Sequence, residues 1–240
     1  MLGLFPSAYP PLYRACKEGA VQEVKELLKQ SEIGVSAGPE IEVEPGPSGK
    51  SRFSYKFLTP FWIACRYGRT EIVSLLLKDP RVDISRTTWV DYDAVSIACY
   101  YGHVDVLQLL IQDCRLWPSH RENLRDSPLY IASLHGHSNI VRLLLTLPEV
   151  EVNQGHPLHS LTPIQSAIFH GQVFVVKELL THPKIQVKPA WLEDESTRKY
   201  PEITKILAEH IAKKNLPNSQ PIEAARSVPN LEMLQLLELD

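Results

Sequence analysis

The chain has 240 residues, of which 44% are hydrophobic and 22% are charged, with a formal net charge of -3 and a pI near 6.3. This composition is typical of a soluble folded protein and excludes a chain that is disordered throughout. The slightly negative charge gives no positive field to attract nucleic acid or anionic lipid, and charged residues interrupt every hydrophobic run. We therefore expect neither a nucleic acid partner nor a membrane association.

The expected compartment follows from the first residues and from the cysteines. Residues 1–10 contain two prolines and no Lys or Arg, which is not the layout of a secretory signal peptide. The four cysteines are few and form no CxxC pair, which suits a reducing compartment. We expect the protein in the cytoplasm, with the nucleus or the cytosol of a host cell as alternatives.

A motif in which glycine follows alanine by four residues occurs five times along the chain. The alanines are Ala15, Ala64, Ala98, Ala132 and Ala167, and the last three intervals between them are 34, 34 and 35 residues. Four residues before each alanine stands a proline, or Ala94 in one case, and three of the prolines follow Thr or Ser. A hydroxyl before proline favours a helix start, and glycine favours a helix end. The motif therefore predicts one short helix in each segment.

A second amphipathic helix is predicted after each motif glycine. Apolar residues recur at helical spacing over residues 71–77, 104–111, 140–145 and 173–180. A proline followed by alternating Val and Ile comes next at 80–84, 148–152 and 183–187, which predicts a helix end and a short extended turn.

Residues 127–145, SPLYIASLHGHSNIVRLLL, resemble an ankyrin repeat, and the pattern recurs from Leu12 to about Lys188. It departs from the family in using Pro-x-Val-x-Val where Gly-Ala-Asp usually stands, which changes loops and not the stack. The resemblance implies an all-α fold, an ankyrin-repeat solenoid of stacked helix-turn-helix units with short extended turns.

We assign residues 1–240 to a single ankyrin-repeat domain with four parts. Residues 11–30 form an N-terminal capping repeat, residues 31–58 an insertion loop and residues 59–188 four well-formed repeats. Residues 189–240 form degenerate and C-terminal capping repeats, with a helix at 202–207 whose partner near 191–198 has lost the motif and a cap at 221–237. Within the insertion, residues 34–51 are rich in Gly, Pro, Ser and Glu, which favours a mobile loop, either a tolerated surface insertion or a regulatory docking loop.

Several conspicuous residues are interpreted as structural. Cys16, Cys65 and Cys99 occupy one slot of the repeat, so we expect small buried residues and not a metal cluster. His103 and His137 follow motif glycines and are expected to hydrogen-bond local backbone. No HExxH or other metal-ligand spacing occurs, so we predict no metal.

Catalysis is not indicated, so we predict that the protein is not an enzyme and has neither catalytic residues nor a cofactor. The glycines fall singly, and neither a phosphate-binding loop nor a GxSxG motif is present. Asp91 and Asp93 are explained by a turn beside a helix N-cap. The resemblance raises hydroxylation at Asn153, against which stands the plainer interpretation of a turn asparagine with local hydrogen bonds.

The resemblance implies that partners contact the turn tips and the exposed end of each first helix, on the concave surface of the solenoid. These positions are rich in Tyr, Trp and Arg, which dominate interface energetics. The alternative is that some of these rings pack against the next repeat or the insertion. The predicted partner-binding residues are Arg66, Tyr67, Trp89, Tyr92, Tyr100, Tyr101, His135, Phe169 and His170.

We therefore expect a monomeric protein-protein interaction module, an adaptor or scaffold, that binds another protein through this aromatic-rich surface. The alternatives are an inhibitor or regulator that occludes an enzyme's active site, or a pathogen effector that acts on host proteins. A nucleic acid accessory protein is disfavoured by the acidic charge balance.

Overall fold

The computed structural model describes residues 10–36, 58–84, 92–113, 115–116, 127–157 and 160–215. Contacts divide the chain into two compact units, Met1–Ala132 and Ser133–Asp240, each of which is described by itself below. Over the described ranges the protein is helical and contains no strand.

The first unit contains three pairs of helices. They are α1 (Pro11–Glu18) and α2 (Val21–Leu28), α3 (Pro60–Arg66) and α4 (Thr70–Lys78), and α5 (Ala94–Tyr101) and α6 (Val104–Gln112). The first helices α1, α3 and α5 pack in one row, and the second helices α2, α4 and α6 pack in another. The helix α7 (Pro128–Leu134) contains the division between the two units.

The second unit continues the same alternation and ends less regularly. Its helices are α8 (Ser138–Leu145), α9 (Pro163–Phe169), α10 (Val173–Leu180), α11 (Glu195–Arg198) and α12 (Pro201–Asn215), with a 3-10 helix at Pro189–Leu192. The row of second helices runs α8, α10 and α12, while α9 packs against α10 and α11. The predicted helix at 202–207 lies within α12, whereas the predicted cap at 221–237 lies outside the described residues.

The first helices begin at the predicted residues, and for α3, α5, α7 and α9 a side-chain cap explains why. Thr59 Oγ1 accepts a hydrogen bond from the Trp62 amide at 3.1 Å, and Asp93 Oδ1 accepts one from the Ser96 amide at 2.7 Å. Thr162 and Gln165 cap α9 reciprocally. Each cap satisfies an amide that would otherwise lack a partner, which stabilises a helix by about 1 kcal/mol. The N-cap interpretation of Asp93 is confirmed, and Asp91 lies outside the described residues.

The alanine-glycine spacing of the motif arises from the way in which each first helix ends. The amide of the residue after the glycine donates to the carbonyl of the motif alanine, as in Arg69 to Ala64 and His103 to Ala98, at 2.9 and 3.0 Å. This closure requires a left-handed residue between them, and Gly102 supplies it with a φ of 77°. The motif therefore encodes the turn between the two helices of a repeat.

The core combines small and large residues on the first helices, such as Ala64 and Phe61, with branched residues on the second. Ala64, Ala98, Cys65 and Cys99 have no exposed surface, which lets adjacent first helices approach closely. In the second helices the fully buried side chains are Val24, Val73, Leu76, Val106, Leu107, Leu110, Ile140, Val141, Leu144, Val175, Val176, Leu179, Ile203 and Leu207. Each of these larger side chains contributes roughly 1.5–3 kcal/mol by leaving water.

The extended turns place their alternating apolar residues inside the tips of the repeats. Val82, Ile84, Val152 and Ile185 are buried there. Part of the predicted insertion loop belongs to the same packing, because Val35 is buried and Ser36 Oγ accepts a hydrogen bond from the Asp83 amide at 3.0 Å. The packed chain thus extends beyond Gly34, where we expected mobility to begin, and residues 37–51 of that loop lie outside the described residues.

In the described part of the chain, no helix combines the length and apolar character that a bilayer crossing requires.

Candidate protein-binding face

The candidate site is formed by the last two residues before each motif glycine, which we call the helix-end positions. In the first unit they are Lys17 and Glu18, Arg66 and Tyr67, and Tyr100 and Tyr101. Because α1, α3 and α5 pack side by side, their ends present these residues in one row. The repeat therefore brings together side chains that lie more than thirty residues apart in sequence.

Arg66 lies at the centre of the predicted residues in the first unit. Its guanidinium carbon is 5.3 Å from the centroid of the Tyr101 ring, 5.8 Å from that of Tyr67 and 5.7 Å from that of Trp62. A cation at these distances is attracted by the electron-rich ring faces, by about 0.5–2 kcal/mol per contact depending on exposure. We call Trp62, Arg66, Tyr67, Tyr100 and Tyr101 the Arg66 cluster.

The tyrosines form a continuous series of rings around this arginine. The ring centroids of Tyr100 and Tyr101 are 4.9 Å apart, and those of Tyr92 and Tyr100 are 6.0 Å apart. Tyr67 and Tyr101 remain 40% and 39% exposed, which is high for side chains of this size. The structure thus brings Arg66, Tyr67, Tyr92, Tyr100 and Tyr101 together, while Trp89 lies outside the described residues.

Trp62 was not predicted to belong to this cluster, although its buried ring lies against the Arg66 guanidinium. Its side chain is buried, and its indole N–H donates to the Tyr92 carbonyl at 3.1 Å. It stands three residues after the cap Thr59, where the motif elsewhere has Tyr130 or Gln165, so its own position predicts only an ordinary helix residue. Trp62 is therefore a buried structural ring that was not among the predicted residues, and the exposed rings of the cluster are those of Tyr67 and Tyr101.

The second unit carries the predicted residues His135, Phe169 and His170, which differ in chemistry from those of the first. Phe169 is 59% exposed, and its ring centroid is 5.2 Å from that of His170. His170 Nδ1 is bonded to the Ser166 carbonyl of its own helix at 2.9 Å. Burial lowers the pKa of His135, and the neighbouring His137 and His170 lower it further. This histidine is therefore neutral at pH 7, and its helix-end position carries no charge.

Phe174 was also missed, although repeat-by-repeat comparison indicates it. This side chain is 73% exposed. It stands three residues after a motif glycine, where the other repeats have Gln22, Glu71, Asp105 and Asn139, all exposed. An exposed phenylalanine in a slot that is otherwise polar is unusual, because such a ring gains nothing by facing water.

The helix-end positions are held by side chains from the following repeat. Arg69 donates to the Lys17 carbonyl at 3.2 Å, His103 Nε2 lies 2.8 Å from the Arg66 carbonyl, and Gln172 donates to the Leu134 carbonyl at 3.4 Å. All three follow a motif glycine, and we call them the connector residues. The expected local backbone partner of His103 was wrong: its partner lies 37 residues earlier, in the preceding repeat.

A second set of bonds holds the tips of the repeats in the first unit. Arg81 donates to the Leu28 carbonyl at 2.7 Å and to the Gln30 carbonyl at 2.9 Å. Its guanidinium also donates to the carboxylate of Asp79. Arg115 repeats this arrangement with Asp113 and the Leu77 carbonyl. The bonds from each arginine lower the pKa of Asp79 and of Asp113.

In the second unit Asn153 makes the corresponding bonds between tips. Its side-chain amide donates to the Lys184 carbonyl at 2.8 Å, and its side-chain oxygen accepts from the Gln186 amide at 2.9 Å. The expectation of local hydrogen bonds needs correction, because both partners belong to the next repeat. Both polar groups of this side chain are used in holding the tips together.

The buried cysteines have the structural character that was predicted. Cys16, Cys65 and Cys99 are unpaired and fully buried. Burial raises the pKa of Cys16 to about 12 and the pKa values of Cys65 and Cys99 well above the usual range. These thiols stay protonated and unreactive at pH 7. Among the described residues no group of His, Cys, Asp and Glu has the geometry of a metal site.

The fold and the repeat motif agree with what is known of other proteins. A family model for ankyrin repeats in three copies matches residues 12–120 and 95–189, which is more than half of the chain. The crystal structure of the human ASB11 ankyrin repeat domain superposes with a TM-score of 0.63 at 21% identity, over 96% of this chain and 98% of that chain. Comparison with curated proteins gives no match.

These similarities define a class of function and leave the partner unspecified. Ankyrin repeats are generally protein-protein interaction modules, and the family is typically non-enzymatic. Solved structures of 344 chains match this one, so the architecture by itself selects no partner. On the strength of the repeated motif, the helical stack and the family match, the chain belongs to the ankyrin repeat family.

Proposed function

We propose that this protein is an adaptor or scaffold that binds another protein through the helix-end positions of its first helices. The observation that carries the proposal is the pair of exposed tyrosines, Tyr67 and Tyr101, around Arg66 at the ends of adjacent helices. Tyrosine and arginine are enriched at interfaces because they bury a large area and keep a polar group for the partner.

The positions of these residues are fixed before any partner arrives. The Arg66 carbonyl is held by His103, the Lys17 carbonyl is held by Arg69, and the helices beneath them have fully buried cores. A surface that is already ordered loses less conformational entropy on binding, so more of the contact energy contributes to affinity. This rigidity supports the helix-end positions as a display surface.

Two further features fit an adaptor that works in the cytoplasm. Phe174 gives the second unit an exposed aromatic residue that could engage a second protein, which an adaptor needs and a simple inhibitor does not. The three described thiols are unpaired, as is usual in a reducing compartment.

Site-specific photo-cross-linking in cells of the source organism tests the proposal. One version of the chain carries Tyr67→p-benzoylphenylalanine, and the control carries the same residue in place of Gln108, an exposed position on α6. We expect a distinct protein to be cross-linked from position 67 and not from position 108. Cross-linking of the same proteins from both positions, or only from 108, would contradict the proposal.

A third cross-linking position separates an adaptor from an inhibitor. With Phe174→p-benzoylphenylalanine, an adaptor is expected to capture a second protein that differs from the one captured at position 67. Capture of one enzyme at position 67, loss of its activity on binding and no capture at position 174 would favour the inhibitor instead.

A further inference from the structure

Among the arginines that the structure describes in the first unit, Arg66 differs from the rest in what surrounds its guanidinium group. Arg14, Arg81 and Arg115 each pair with a carboxylate, and Arg69 donates to a carbonyl. For Arg66 the described contacts are the three aromatic rings, and within the described chain no carboxylate or carbonyl accepts from its N–H groups. The group has five N–H donors in a planar fork, and ring contacts do not replace their hydrogen bonds.

The surroundings of this guanidinium make it ready to bind an anion. Arg66 is half-buried, so part of its water shell has been lost to the rings of Trp62, Tyr67 and Tyr101. Electrostatic attraction and hydrogen bonds are stronger beside apolar walls than in open water. Its backbone is held by His103 and its side chain by rings from two repeats, so little further ordering is needed.

We propose that the Arg66 cluster binds the carboxylate side chain of an Asp or Glu of the partner protein. This inference rests on the proposed function, whose binding face it uses. A guanidinium forms paired, parallel hydrogen bonds with a carboxylate, and the tyrosines on either side would cover the apolar atoms of neighbouring partner residues. The charge of one guanidinium neutralises the charge of one carboxylate. A phosphate carries a charge of about −1.5 to −2 at pH 7, so part of its charge would remain unneutralised.

The test uses a phage library of random dodecapeptides selected on the whole chain. Selected peptides are synthesised, and their affinities are measured for the wild type and for Arg66→Gln, Arg66→Lys and Tyr101→Ala. We expect peptides that contain Asp or Glu and that lose about 10- to 100-fold in affinity on Arg66→Gln, the effect of a hydrogen bond to a charged group. Arg66→Lys, which keeps the charge without the fork, is expected to lie in between.

Two controls connect this loss to one contact. Arg142→Gln removes an exposed arginine of the second unit that pairs with Glu178, and it should leave peptide binding unchanged. Replacing the peptide's Asp by Asn, or its Glu by Gln, should weaken binding to the wild type about as much as Arg66→Gln does. The same replacement should weaken binding to Arg66→Gln only slightly, because the charged contact is already absent.

The remaining outcomes separate failure of this inference from failure of the proposed function. Peptides that depend on Tyr101 but bind the wild type and Arg66→Gln equally, or that contain no acidic residue, overturn the inference and leave the binding face intact. A phosphorylated form that binds more than tenfold tighter than the carboxylate form overturns the choice of carboxylate. Failure to select any peptide that depends on Tyr101 counts against both the inference and the proposed function.

Discussion

The two units of the chain use the same chemistry to stack their repeats and different chemistry at their surfaces. In both, a connector residue after the glycine bonds to the preceding repeat, His103 in the first unit and Gln172 in the second. At the helix-end positions, however, the first unit has a cation among tyrosines and the second has Phe169 beside histidines. The stack therefore depends on hydrogen bonds to backbone carbonyls, which every repeat has. The exposed side chains, in contrast, differ from one repeat to the next.

The largest losses of stability are expected from substitutions in the buried core. These losses should be equal in the two units. Leu110 and Leu144 occupy the same slot of their repeats, and both are fully buried. Leu110→Ala and Leu144→Ala should each lower the free energy of unfolding by about 2–5 kcal/mol through lost burial and a cavity. Urea denaturation followed by circular dichroism measures both. A loss below about 1 kcal/mol in either would show that the two cores are not equivalent.

Substitution of a motif glycine by alanine should cost different amounts of stability in the two units. Gly68 and Gly136 have φ values of +64° and +78°, so alanine at either position costs about 1–3 kcal/mol in backbone strain. At Gly68 the added Cβ would also lie 2.6 Å from Nδ1 of the held His103 ring, whereas at Gly136 it would meet the flexible end of Gln172. Gly68→Ala should therefore destabilise the protein more than Gly136→Ala, as measured by urea denaturation.

A double variant isolates the steric part of this effect. Adding His103→Ala to Gly68→Ala removes the ring that the new Cβ meets, so the two changes together should cost less than the sum of their separate costs. Strict additivity would mean that the collision with His103 contributes nothing.

The connector residues should have smaller effects, in the order of their bond lengths. His103→Ala removes a contact of 2.8 Å to the Arg66 carbonyl and should cost about 0.5–1.5 kcal/mol. Gln172→Ala removes a bond of 3.4 Å and should cost less, because hydrogen bonds weaken at this length. Thermal unfolding of the two variants provides the comparison, and a larger loss for Gln172→Ala would reverse the expected order.

The smallest effect concerns pH and is confined to the tips that carry aspartate. The pKa of Asp79 is lowered by its bonds from Arg81, so the carboxylate contributes stability above its unfolded pKa of about 3.9 and loses that contribution as the pH falls further. The difference in Tm between wild type and Asp79→Asn should be constant from pH 7 to about pH 4 and should shrink below it. A Tm difference that grows on acidification would mean that folding raises the pKa of Asp79 and does not lower it.

A variant of the second unit at a group that does not titrate provides the contrast. At the end of α8, one position before the slot that Asp79 occupies in its own repeat, Thr146 donates its hydroxyl to the Leu143 carbonyl, and a hydroxyl does not titrate in this range. The Tm difference between wild type and Thr146→Ala should therefore stay constant over the same pH interval.

The elements of this fold could be predicted because each is encoded locally. A capped proline such as Pro60 starts a helix, Gly102 ends one, and the small size of Cys65 and Cys99 at one slot indicates where helices pack. None of these inferences requires knowledge of a distant residue. The ankyrin repeat family was recognisable for the same reason.

The contacts between repeats could not be predicted, because each joins residues that only the stack brings together. The sequence shows a polar residue such as His103 after a glycine, but the Arg66 carbonyl that it contacts is 37 residues earlier. Arg81 likewise bonds to carbonyls 51 and 53 residues earlier. Phe174 is the opposite case: alignment of the repeats with one another would have revealed it.

On the proposed function, the exposed rings of the Arg66 cluster bind a partner and do not hold the stack. The most direct test measures the double variant Tyr67→Ala/Tyr101→Ala for both Tm and affinity toward the protein that cross-links at position 67. We predict an affinity at least tenfold weaker with a Tm within about 2 °C of wild type, because exposed side chains contribute little to folding. A Tm lower by 10 °C or more with unchanged affinity would mean that the tyrosines hold the stack and do not bind the partner.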